Sequence, residues 1–250
     1  MQNNFFCKRS YINLYNHPSY DSKIGSQILY GEKFKILKKG KNFSKVKTKY
    51  DNYAGYIKRS KHLSTFVSTH KVSVLKSRIF KYPKNLKKFR SKKFLSFSSE
   101  IHIFKKKNKF VMFDKNKWLY AKDIKSINQK DKNIVKILKL FLNCKYKWGG
   151  KTYNGIDCSA LIQLFYKFNK KFFPRDTVDQ IKFKSGVATK KKFKKGYIIF
   201  WKGHVALCLN SKKLIHAYGP KKKVIIMPIN ETIKRIERTA NLKVKKICRM

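Results

Sequence analysis

The hydrophobic rhythm of the chain changes once, near residue 128. Before that point β-forming residues alternate or cluster at Tyr11–Tyr15, Gln27–Tyr30, Phe34–Lys38, Ser44–Thr48 and Ala54–Lys58. Turn residues separate them at His17-Pro18, Gly31, Gly40-Lys41 and Asp51-Asn52. Short strands at this spacing predict a small barrel of about sixty residues. A second set at Val72–Leu75, Ile101–Phe104, Phe110–Phe113 and Trp118–Tyr120 repeats the order with little identity. It predicts a degenerate second barrel beyond a linker near Ser64–Lys71.

After residue 128 the period becomes helical. Ile134, Ile137, Leu138, Phe141 and Leu142 share one face at 3.6-residue spacing, predicting a helix capped by Asp131 and running to Leu142. A glycine-rich segment follows, then a stripe of Leu161, Ile162, Phe165 and Phe168 that predicts a helix over Cys158–Phe168 capped by Asp157. Strands are predicted at Tyr197–Trp201, His204–Leu209, Lys213–Ala217 and Lys223–Met227, with a short helix at Glu231–Arg238 and a last strand at Leu242–Cys248. The fold class is therefore α+β, with domains at 1–64, 65–128 and 129–250.

Composition narrows the function classes. The formal charge of +51 points first to nucleic acid. Yet 55 of the 63 basic residues are Lys, spread almost evenly, and only 8 are Arg, the residue that base-edge and bidentate phosphate recognition favours. The charge reads as compositional, with no nucleic-acid partner, although it steers anions towards the protein. No run approaches the roughly 18 apolar residues of a membrane helix, and the first residues lack a secretory leader pattern, so the expectation is a cytoplasmic protein with no membrane partner. Five cysteines without a CxxC pair read as reduced thiols. No metal or organic cofactor is called for.

Of those cysteines Cys158 stands out, because it falls in the first turn of its helix. The unpaired amides and the positive end of the dipole there favour a thiolate over a thiol, which otherwise titrates near ~8.5. The same amides can hold an oxyanion. His204 and His216 lie on the two arms of a predicted hairpin turning at Asn210-Ser211. A two-residue turn places His204 opposite Ala217 and Val205 opposite His216, within one position of each other. Cys158 as nucleophile, His204 as general base and acid, and His216 as the group orienting that base make an acyl-transfer triad.

The strings Tyr146-Lys147-Trp148-Gly149-Gly150, Gly155-Ile156-Asp157-Cys158-Ser159-Ala160-Leu161, Pro174-Arg175-Asp176-Thr177-Val178-Asp179-Gln180, Gly196-Tyr197-Ile198-Ile199-Phe200-Trp201, His204-Val205-Ala206-Leu207 and Leu214-Ile215-His216-Ala217 resemble an NlpC-type cell-wall cysteine peptidase. Ala160 and Tyr197 depart from the family's commoner Gly and Asp. The segments Ser26–Glu32 and Asp51–Ile57 resemble the bacterial SH3-like domain of the subgroup that trims free muropeptides. The resemblance implies a papain-like domain behind two SH3-like barrels. It also implies hydrolysis of the γ-D-glutamyl-diamino-acid bond in peptidoglycan-derived peptides with a free N-terminal L-Ala, as in murein recycling. Further, it implies substrate contacts from Tyr146, Trp148, Asp157, Ser159, Asp176, Thr177, Glu32 and Tyr56, with Asp176 helping to hold the ammonium. The rival readings are a related papain-like amidase, an endopeptidase acting on intact wall, and a non-catalytic polyanion- or wall-binding protein.

Overall fold

The computed structural model describes residues 4–81, 90–188 and 192–249. They form two compact units. One comprises Met1–Lys130 with Lys151–Tyr153 and Phe168–Lys170; the other comprises Asp131–Gly150, Asn154–Lys167 and Lys171–Met250.

The first unit is all β. A six-stranded antiparallel sheet runs in the order Asn4–Phe6, Lys33–Lys39, Phe43–Thr48, Ala54–Lys58, Tyr11–Tyr15, Ile24–Leu29. Period-two alternation sets its inner face: buried Val46 lies between exposed Lys45 and Lys47, and buried Phe34 between exposed Lys33 and Lys35. Ile12, Leu14, Ile28, Phe34, Val46 and Ile57 fill the core. A second core gathers Val72, Ile79, Leu95, Ile101, Val111, Phe113, Leu119 and Ile124. Tyr30 from the first strand set joins this second core, edge-on to Phe113 with ring centroids 5.4 Å apart.

Two expected strands break in this region. Val72–Leu75 is split because Ser73 donates both its N–H (2.8 Å) and its Oγ (3.1 Å) to the Asp123 carbonyl. The chain then leaves the three-stranded sheet of His70–Val72 and resumes as Lys76–Phe80 in a five-stranded one. Ile101–Phe104 is split for the same topological reason. Glu100–Ile101 pairs with His70 and Lys71, whereas Lys105–Lys107 pairs with 110–112 in the other sheet.

The second unit combines four helices with a five-stranded antiparallel sheet. The helices are α1 (Ile134–Lys139), α2 (Cys158–Phe168), α3 (Thr177–Phe183) and α4 (Ile229–Ala240). The strands are β1 (Tyr197–Trp201), β2 (His204–Cys208), β3 (Lys213–Tyr218), β4 (Lys223–Pro228) and β5 (Lys246–Arg249), in the spatial order β4-β3-β2-β1-β5. The cap of α1 is Asn133, whose Oδ1 accepts from Lys136 N at 3.1 Å, not Asp131, which instead accepts from Asn133 N. The expected extension to Leu142 exists only as tighter i→i+3 turns that stop at Asn143, held at φ 63°. The closing strand begins four residues later than expected, because Asn241 caps α4 at φ 53° and the chain needs the next residues to turn back. Among the described residues no helix is long and apolar enough to cross a membrane.

Candidate active site

The nucleophile's helix begins where the sequence places it. Asp157 Oδ1 accepts from Ala160 N at 2.8 Å, an N-cap bond, and the Asp157 carbonyl accepts from Leu161 N at 3.1 Å. Cys158 is thus the first helical residue, and its N–H has no intrahelical acceptor. Ala160, Leu161, Ile162 and Leu164 are almost wholly buried and hold the helix in place. The loop before it turns at Gly149 (φ 68°), whose N–H donates to Asp157 Oδ2 at 3.0 Å.

The Cys158 side chain is buried, and Sγ lodges against the β1–β2 hairpin turn. It donates to the Gly203 carbonyl at a loose 4.0 Å, not to an imidazole, and the Val205 N–H donates to it from the other side of His204. Gly203 makes that turn at φ 74°, which a residue with a Cβ adopts only under strain.

Both histidines meet on one face of the sheet, but not in the expected register. Leu207 faces Ile215 and Cys208 faces Leu214, one residue out from the two-residue-turn alignment. The hairpin loop is wider: Leu209 N donates to Lys213 O at 2.8 Å, and Asn210 Oδ1 accepts from the amides of Lys212 and Lys213, both at 2.8 Å. Counting back from Leu207 sets His216 beside Ala206, so it shares a face with His204 on the diagonal. The observed result is a 2.9 Å hydrogen bond between His204 Nε2 and His216 Nδ1. His216 is fully buried and stacks on Tyr218, with centroids 4.6 Å apart and rings 11° from parallel.

Electrostatics corrects the expectation of a resting thiolate. Burial first, then the Asp157 charge, pushes the Cys158 thiol up to about 12, against hydrogen bonds from Val205 and Ser159 and the Arg175 charge. Burial lowers His204 to about 4. Burial, then the neighbouring His204, lowers His216 to about 2. The resting pair is therefore neutral thiol and neutral imidazole, so deprotonation belongs to the attack step. A stability prediction follows from the same shifts. Both rings are neutral when folded, whereas in the unfolded chain they bind protons readily below about 6.5. Lowering the pH through that value favours unfolding by about 1.4 kcal/mol per pH unit per histidine, until each folded pKa is reached. Urea titrations at pH 7 and pH 5 measure this; equal loss in wild type and His216→Asn would rule out the buried neutral His216.

Several of the expected substrate residues carry polar contacts of their own. The buried Arg175 guanidinium forks onto Asp157, Nη1 to Oδ1 at 3.0 Å and Nη2 to Oδ2 at 2.6 Å, and Nη1 also reaches Ser159 Oγ at 2.7 Å. Ser159 Oγ in turn donates to Asp157 Oδ1 at 3.0 Å. Asp157 and Ser159 thereby brace the start of the nucleophile's helix, since a buried carboxylate must be satisfied by fixed donors. Glu32 is also tied to neighbours of its own. It is 3% exposed in the first unit, with Oε1 3.3 Å from buried Lys151 Nζ and Oε2 accepting from Leu29 N at 3.0 Å. Tyr56, also in that unit, is half-buried on Ala54–Lys58 opposite Lys45.

Tyr146 is half-buried in the second unit. Burial, then the charges of Cys158 and Asp157, pushes its phenol pKa up, which keeps the O–H protonated. Trp148 is 64% exposed, its ring open to solvent. Asp176 and Thr177 are half-buried at the start of α3, where the Asp176 side chain makes no capping bond. Trp201 is buried core, its ring 5.5 Å from that of His204. Sequence reasoning missed the roles of Arg175, of Gln180, whose Nε2 ties Ser159 O (3.0 Å) to Pro174 O (2.8 Å), and of Met227, whose sulfur lies 3.4 Å from His216 Nε2. An acid directly before a buried cysteine, in a chain with so few arginines, was the available signal for Arg175. Among the described residues no group of three or more His, Cys, Asp or Glu is placed to hold a metal.

Residues 143–240, which carry Cys158 at its helix start and the hydrogen-bonded His204 and His216, match the NlpC/P60 family. The C-terminal part of the chain is an NlpC/P60 domain. Residues 14–61 match the bacterial dipeptidyl-peptidase SH3 domain. The chain is 27% identical over 236 residues to the γ-D-glutamyl-L-lysine dipeptidyl-peptidase of Bacillus subtilis, covering 85% of this chain and 78% of that protein. It is 25% identical over 246 residues to dipeptidyl-peptidase 6 of Lysinibacillus sphaericus, covering 88% and 89%. A crystal structure of an NlpC/P60 family protein from Bacillus cereus shares the fold, with a TM-score of 0.80 at 20% identity over 98% of this chain and 99% of that one. The NlpC/P60 domain makes this protein a cysteine peptidase with an N-terminal SH3 region.

Proposed function

We propose that this peptidase hydrolyses the γ-D-glutamyl-diamino-acid amide bond of peptidoglycan-derived peptides that carry a free N-terminal L-Ala. The observation that carries the chemistry is the 2.9 Å His204–His216 bond with Cys158 Sγ seated between Gly203 and Val205. With Nε2 committed to His216, the nitrogen left to His204 is Nδ1. It takes the thiol proton as Sγ attacks the γ-carbonyl carbon. The Cys158 N–H and the Tyr146 O–H are the donors for the oxyanion. Collapse gives the proton from His204 to the leaving amine and forms a thioester. Water, deprotonated by His204, then attacks the thioester and regenerates the thiol.

Support for the substrate comes from two sides. The curated relatives are named for γ-D-glutamyl-L-lysine or dipeptidyl-peptidase activity. In this chain Asp176 puts a half-buried carboxylate one residue after the Arg175 clamp, suited to pairing with an ammonium taken from water. The five cysteines form no disulfide, which suits a reducing compartment and hence cytoplasmic recycling of such peptides. The test is incubation with L-Ala-γ-D-Glu-diamino-acid tripeptides, containing L-Lys or meso-diaminopimelate, with the amine free or acetylated, and products identified by mass. Release of L-Ala-D-Glu from the free amine is expected, with acetylation lowering kcat/KM by about tenfold or more. Equal rates on both would point to an endopeptidase of intact wall.

A further inference from the structure

We infer that Met227 sets the tautomers of both site histidines and so leaves His204 Nδ1 as the unprotonated base. The inference rests on the peptidase reading only in calling that nitrogen the base. Its geometry is a diagonal across three neighbouring strands. His204 on β2 bonds His216 on β3, and His216 faces Ile225 on β4, two residues before Met227. Alternation therefore sets His204, His216 and Met227 on one face of the sheet. Met227 Sδ lies 3.4 Å from His216 Nε2 in a fully buried contact.

A thioether sulfur has no hydrogen to give, so it can only accept. His216 is shielded from water, and among the described residues its only other polar contact is His204. Were His216 protonated on Nδ1, its Nε2 lone pair would face sulfur lone pairs in a dry site, with no donor to satisfy it. The proton therefore sits on Nε2 and points at Met227, and Nδ1 accepts. An accepting Nδ1 requires His204 to donate from Nε2. A neutral His204 with its proton on Nε2 has its lone pair on Nδ1, where the thiol proton must go. When His204 takes that proton, the Nε2–H bond to His216 is unchanged, so no second transfer is needed. Tyr218, stacked on His216, resists the ring flip that would put a carbon in place of each nitrogen. Met227 is thus a positioning residue acting through two imidazoles.

Long-range proton–nitrogen correlation spectra of 15N-histidine-labelled protein read these tautomers directly, with signals assigned from His204→Asn and His216→Asn. Both rings are expected in the Nε2–H form. In Met227→Leu the sulfur acceptor is gone, and His216 should shift towards the Nδ1–H form and take His204 with it. Alkylation of Cys158 by iodoacetamide should then slow by about tenfold, and Met227→Gln, whose carbonyl can accept, should restore the rate. A wild-type His216 carrying its proton on Nδ1 overturns the inference. So does a folded Met227→Leu with unchanged spectra and unchanged alkylation. If Met227→Leu does not fold, the wild-type spectrum decides alone. None of these readouts uses a peptide substrate. Correct tautomers in a protein that cleaves no murein peptide would sink the substrate proposal and leave this inference standing.

Discussion

Replacing Cys158 with alanine is expected to lower kcat on the L-Ala-γ-D-Glu-diamino-acid tripeptide by ~10³-fold or more. The size of the loss follows from the division of labour at the site. His204, lowered to about 4, is too weak a base to activate water efficiently without a thioester to attack. Cys158, raised to about 12, is a poor nucleophile unless His204 takes its proton during the attack. Each depends on the other, so His204→Ala should cost about as much as Cys158→Ala, and the double variant little more than either. Product formation by mass, with circular dichroism to confirm folding, measures this. Activity within tenfold of wild type in Cys158→Ala would remove the thiol from the mechanism. Losses that multiply in the double variant would show that the two groups work separately.

The parts of this arrangement that were legible in the sequence are those set by local rules. Asp157 as cap and the stripe from Leu161 to Phe168 fix a helix with Cys158 at its start, and the structure has that helix over the expected span. The hairpin arms were equally clear from their alternation. Their register was not, because it depends on whether the loop spans two residues or three. The Asn210 side chain settles that by bonding two amides beyond it. A one-residue shift is what moves His216 onto the face of His204, so the decisive contact hung on a loop bond that no periodicity reports. Burial was the second blind spot. A helix dipole predicts a depressed thiol pKa, but desolvation of Cys158 outweighs it. Nor did any local pattern report that Glu32 is paired with Lys151, more than a hundred positions away in the chain. Long-range ion pairs of this kind leave no local pattern.

Arg175→Met is expected to destabilise the fold by about 3–5 kcal/mol, the cost of leaving a buried carboxylate without its cation. Asp157 has only 6% exposure, so water cannot replace the guanidinium. It keeps donors from Gly149 N, Ala160 N and Ser159 Oγ, which satisfy lone pairs but do not cancel the charge. That uncancelled charge lies next to Cys158, where Asp157 already raises the thiol pKa and Arg175 opposes it. The variant should therefore also slow alkylation of Cys158, an effect that simple loss of packing does not produce. Asp157→Asn leaves the opposite fault, a buried cation facing a neutral amide. Combining the two removes both charges and should recover part of the lost stability, giving a coupling of about 2–3 kcal/mol in the double-mutant cycle. Urea midpoints of the four proteins measure it. If the two single losses simply add, the clamp is not an ion pair in the energetic sense, and the low-dielectric setting assigned to Cys158 would have to be abandoned with it.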